Sequence, residues 1–74
     1  MTFDEMWEQW LENTKAAIRT SKCSHKYIAE EMGMTQGNFS RLLKGEYARS
    51  EHALYRIAVV IEIHPSKIFN LREK

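Results

Sequence analysis

"HKYIAEEMGMTQGNFSRLLKG", residues 25–45, decides the fold. Ser24, just before it, is a good helix N-cap, and Cys23 with Ile28 is placed to form a hydrophobic staple around that cap. The spacing predicts a helix over 25–32. Gly33 can close that helix in the left-handed conformation at almost no steric cost. Thr35, only two residues on, caps a further helix over 36–44 that Gly45 ends. Two short helices joined by so tight a turn must cross steeply, which makes residues 24–45 a helix-turn-helix.

The faces of the second of these helices differ sharply. At about 100° per residue, Gln36, Ser40, Lys44, Gly37 and Arg41 fall within an arc of about 140°, and Phe39 with Leu42 lie on the opposite side. The polar arc carries no acid. Gln and Arg can pair bidentately with adenine and guanine edges in the DNA major groove, and Lys and Ser suit phosphate oxygens. Gly37 costs helix stability, roughly 1 kcal/mol in a helix interior and less near an end. A backbone that must approach the bases closely is one reason to accept that cost; a tolerated weak spot without a contact role is the other.

Outward from this unit the chain reads as helical throughout, with one proline, three glycines and no alternating β-branched run. A long, acidic first helix is expected over about 2–20. Thr2 and Glu5 form its capping box, and Phe3, Trp7, Trp10, Leu11, Ala17 and Ile18 form its apolar stripe. Ser50 caps a helix over 51–62, and Pro65 suits the first position of a short fifth helix, 65–69. The expected core is Leu11, Ile18, Ile28, Ala29, Met32, Phe39, Leu42, Leu54, Ile57, Ala58, Ile61, Ile68 and Phe69. Trp7 and Trp10 read as core too, although both fit with difficulty into so small an interior.

Seventy-four residues make one domain, 1–74, with no room for a ligand-sensing unit. The single cysteine excludes an internal disulfide framework and a four-thiolate zinc site, and it fits a reducing compartment. No stretch approaches the roughly 18 apolar residues of a membrane span, and the acidic N-terminus is unlike a signal peptide. The expectation is a soluble, cytoplasmic protein. Residues 1–14 hold Asp4, Glu5, Glu8 and Glu12 without a base, a charge of −4; residues 15–74 hold eleven bases against six acids, +5. The main body is therefore free to offer a polyanion-binding face. His25, His52 and His64 share no metal-site spacing, and neither a nucleophile elbow nor a phosphate-binding glycine loop is present. No enzyme activity, cofactor, metal or small-molecule ligand is expected.

Residues 24–69 resemble the phage repressor and Cro class of helix-turn-helix proteins, the XRE family. "IAEEMGMTQGNFSRLLKG" carries the small Ala29 where the two helices touch, Gly33 in the turn, apolar Phe39 and Leu42, and the closing "KG"; "LYRIAVVIEIHPSKIF" is similar to the family's fourth helix and its proline-bearing entry to the fifth. The resemblance implies an all-α, five-helix, lambda-repressor-like DNA-binding domain. It also implies that Gln36, Gly37 and Arg41 read bases, that His25 and Lys44 hold phosphate, and that Thr35 and Asn38 lie near the backbone or the groove edge. Ser40 joins the phosphate set from its place on the arc, and Asn38 can instead satisfy local backbone groups. The implied function is a sequence-specific transcriptional regulator, a repressor, acting as a homodimer on a palindromic double-stranded operator. The dimer surface falls to the fourth and fifth helices with the tail "IFNLREK", including Leu71, or to the first helix. The alternative is a protein-interaction module that keeps the fold and docks a partner on the acidic first helix with its two tryptophans.

Four positions depart from the family pattern. Lys22 and Glu62 stand where glycines commonly end the first helix and precede the fifth, so both turns are expected to differ in geometry. His25 replaces the usual glutamine, and the commonly filled reading position is Gly37, which leaves two strong base readers.

Overall fold

Hydroxyl side chains start four of the five helices. In the computed structural model, which describes residues 1–70, the elements are α1 (Phe3–Thr20), α2 (His25–Glu31), α3 (Gln36–Leu43), α4 (Glu51–Val60) and α5 (Ser66–Phe69), with no strand among the described residues. The domain is all-α. Thr2 Oγ1 accepts from the Glu5 N–H while Glu5 Oε1 accepts from the Thr2 N–H, which completes the capping box. Ser24, Thr35 and Ser50 accept in the same way from Tyr27, Asn38 and Ala53, at 3.0, 3.1 and 3.1 Å. Each such cap stabilises its helix by about 1 kcal/mol. The fifth start uses a histidine instead. His64 Nδ1 accepts from the Ser66 N–H at 3.1 Å, and Pro65 between them has helical angles (φ −55°, ψ −26°) although the helix proper begins at Ser66.

Three helices end in one and the same motif. After α2, Gly33 (φ +68°) donates to the Glu30 carbonyl and Met34 to the Ala29 carbonyl; after α3, Gly45 (φ +79°) and Glu46 repeat the pattern onto Leu42 and Arg41. These are Schellman closures, which need a left-handed residue. After α4 the residue in that place is Glu62, at φ +60°, with Glu62 and Ile63 donating to Val59 and Ala58. α4 therefore ends at Val60, two residues short of the expected 51–62. Glu62 holds a conformation that disfavours any side chain with a Cβ by roughly 1–2 kcal/mol. Lys22 is a different case. Ser21 ends α1 in an extended conformation, its N–H bonded to the Ala17 and Ile18 carbonyls and its hydroxyl to Ile18, so no left-handed residue is required there.

α5 lies along α1, α2 packs on α3, and α4 closes the interior against α1, α2 and α5. Twelve of the thirteen expected core residues are buried, the exception being the half-buried Phe69. Both tryptophans are inside, Trp7 at 2% and Trp10 at 7% exposure, because α5 supplies a cover for them: the Phe69 ring meets Trp10 edge-on at 5.1 Å, and Trp10 meets Trp7 edge-on at 6.4 Å. Leu43 and Thr14 are also buried, Thr14 donating its hydroxyl to the Trp10 carbonyl at 2.7 Å. Asn13 ties α5 down by donating to the Ile68 and Asn70 carbonyls at 2.8 and 2.7 Å. Phe3, the first residue of the expected stripe, stays at the surface under the Arg49 guanidinium, which also pairs with Asp4. No helix of the described residues is long and apolar enough to cross a membrane.

Candidate nucleic-acid interface

α3 is held from behind by three apolar side chains and offers the opposite side to solvent. Phe39, Leu42 and Leu43 are 0%, 1% and 5% exposed. Gln36, Gly37, Arg41 and Lys44 are exposed, and Ser40 and Asn38 are half-buried at the edges of that face. Lys44 is the C-cap residue, so the helix ends one residue earlier than the expected 36–44. Its side chain remains on the polar side. Complete burial of Phe39 fixes the rotation of α3 about its axis, since turning the polar arc inward would expose a side chain whose removal costs about 3–5 kcal/mol.

Gly37 has no packing reason to be glycine. A Cβ built on it meets no atom within 4 Å, and its φ is not in the left-handed region. The space in front of the first turn of α3 is open, so the backbone there can be approached from outside. Thr35, at the N-cap, accepts from Asn38 and keeps its own hydroxyl hydrogen to donate outward. Among the described residues the Asn38 side chain makes no hydrogen bond, which removes the local-backbone role otherwise open to it.

His25, the first residue of α2, sets its ring edge-on against Phe39, with centroids 5.5 Å apart. That contact carries the start of α2 to the flank of α3. Here His25, Ser40 and Lys44 line one groove, floored by Leu43. Three of the five expected backbone-side residues thus meet in one place, Thr35 and Asn38 do not line it, and Gly37 and Arg41 lie on the adjoining arc of α3. Two further lining residues, Lys15 and Arg19, come from α1. Sequence reasoning did not find them. Their spacing of four, on one face of a helix, was the available signal, but only the packing of α1 on α3 brings that face to this groove.

The remaining candidates sort out by burial. Cys23 is half-buried and packs against the core, as a staple residue does. The burial of Trp7 and Trp10 takes them away from any surface role, so they cannot form a dimer contact on the first helix, nor the docking surface of the alternative module. Leu71, the tail residue named for the dimer surface, lies outside the described residues. Comparison with protein-family models, with curated proteins and with solved structures finds no match to this chain. The function rests on the site's own residues.

Proposed function

We propose that this chain is a lambda-repressor-like, sequence-specific DNA-binding transcriptional regulator, a repressor, with α3 in the major groove. The observation that carries this reading is the acid-free exposed face of α3, Gln36, Gly37, Arg41 and Lys44, backed by three buried apolar side chains. Arg41 and Gln36 read base edges, Gly37 lets the backbone come close, and His25, Thr35, Asn38, Ser40 and Lys44 hold the sugar–phosphate strand. Two strong readers span too few base pairs to find one site among many competitors, so the protein acts as a symmetric homodimer on two half-sites about 10 base pairs apart. Tyr55 and Val59, four residues apart on α4 and 48% and 58% exposed, support the C-terminal half as its contact surface. The rival, an interaction module docking through α1, has lost its tryptophans to the core.

The test is a pair of substitutions read over several duplexes and salt concentrations. Arg41→Ala weakens the preferred site by about 1–3 kcal/mol and relaxes selection at one base pair, whereas Lys44→Gln weakens all sequences alike and lowers the salt slope by about one. Equal loss on every sequence for Arg41→Ala overturns the assignment of base reading to α3.

A further inference from the structure

The groove between α1, α2 and α3 measures about 240 Å³ and is lined by Lys15, Arg19, His25, Ser40, Leu43 and Lys44. Three permanent cations and a hydroxyl stand over an apolar floor, and none of the six is an acid. Charges of one sign over a low-dielectric floor focus the field and attract anions. Room for several waters of about 30 Å³ each is room for a tetrahedral oxyanion with part of its hydration. The cations come from two helices that are not neighbours in sequence, so their meeting follows from the tertiary packing and not from the helix-turn-helix alone.

Among the described residues, a single acid pairs with these bases. Glu12 pairs with Lys15 at 3.2 Å, three residues away, with Lys15 and Glu12 side chains 35% and 64% exposed. A pair so open to solvent contributes little and yields readily to a stronger anion. The groove also lies on the Ser40, Leu43 and Lys44 edge of α3, directly beside the arc that carries Gly37 and Arg41. In the DNA-binding reading proposed above, a duplex whose base edges meet Arg41 brings a sugar–phosphate strand to this side of α3.

We propose that the groove seats a phosphate group of the bound duplex, with Lys15 and Arg19 of α1 neutralising it beside Lys44 while Ser40 donates its hydroxyl. This rests on the DNA-binding reading above and extends it to a helix outside the helix-turn-helix. Arg suits such a place because its planar fork matches phosphate bidentately, and Lys serves as a point charge.

The experiment is a salt series of duplex affinities for the intact chain, Lys15→Gln, Arg19→Gln and the double variant, with Lys67→Gln on α5 as the control away from the groove. Each phosphate contact contributes about 0.9 to the slope of log affinity against log salt, or roughly 3.5-fold in affinity between 50 and 200 mM salt. The expected result is a slope shallower by about 0.9 in the double variant, which no longer neutralises that phosphate from α1, and by a smaller amount in each single variant, with base selection unchanged and Lys67→Gln at the parent slope. Thermal unfolding of the double variant at or above the parent midpoint establishes that the loss is one of contact and not of fold. A double variant that binds DNA with the parent slope overturns the proposal while leaving the DNA reading intact. Should the intact chain bind no duplex, that reading fails separately, and titration with inorganic phosphate then decides the groove. Shifts of the Ser40 and Lys44 amides that vanish in the double variant keep the phosphate seat and assign it a free anion, and their absence in the intact chain refutes it.

Discussion

Replacing Gly37 separates what the fold needs from what the interface needs. Because a Cβ at this position meets open space and φ is already helical, Gly37→Ala adds helix propensity without a clash. At the second position of α3 the gain is about half the interior value of roughly 1 kcal/mol, hence ~0.5 kcal/mol. Unfolding entropy of roughly 2.1 cal/mol/K per residue gives ~0.16 kcal/mol/K for this chain, so the melting midpoint rises by about 3 °C. Gly37→Gln gains slightly less stability, yet it puts an amide where, in the proposed DNA-binding reading, the backbone faces the bases. A Gln that pairs with adenine discriminates by about 1–3 kcal/mol, so this variant selects a different base, or loses affinity for the parent site, by roughly 5- to 150-fold. Differential scanning calorimetry reads the first effect and competitive duplex binding the second. A lower midpoint for Gly37→Ala refutes the open space in front of α3. Unchanged affinity and selection for Gly37→Gln leave Gly37 as a tolerated weak spot with no part in the contact.

Glu62→Gly relieves a left-handed backbone in the closure after α4, and the expected gain is about 1 kcal/mol, a midpoint roughly 4–8 °C higher; chemical denaturation checks it, and an unchanged or lower midpoint shows that Glu62 is not strained. At the other end of the chain, the Thr2 N–H and hydroxyl bound to the Glu5 carboxylate hold its pKa below the ordinary 4.5. A lowered folded-state pKa contributes stability that is present above 4.5 and lost as the pH falls through the folded value. The parent therefore unfolds at a higher midpoint than Glu5→Gln near neutrality, and the two midpoints converge below pH 4.5; a gap that persists at about pH 2 contradicts the capping-box role.

Local chemistry made most of the elements legible. Thr2, Ser24, Thr35 and Ser50 announced four helix starts because a hydroxyl satisfies the orphan N–H groups of a first turn, and Gly33 and Gly45 announced two ends because their φ is positive. The third closure was read two residues late for the converse reason: glutamate carries no signal of a left-handed bend, and only the packing of α5 behind it requires one. Leu43 falls between the polar and apolar arcs of α3, so its burial depended on where α1 lies, and the same placement decides that Lys15 and Arg19 line the groove beside α3. The tryptophans illustrate the limit from the side of volume. Two indoles look too large for a core of this size until Phe69 and the segment tied down by Asn13 are laid across α1. Helix faces and caps are properties of ten residues; which faces meet is a property of the whole chain.

Selection of bound sequences from a random duplex pool tests the proposed function most directly. The acid-free face of α3 predicts enrichment of a palindrome whose half-sites, about 10 base pairs apart, each contain a guanine specified by Arg41, with enrichment at that position lost in Arg41→Ala. A pool that emerges without sequence enrichment, or one whose enriched site is the same in Arg41→Ala, contradicts DNA reading by α3.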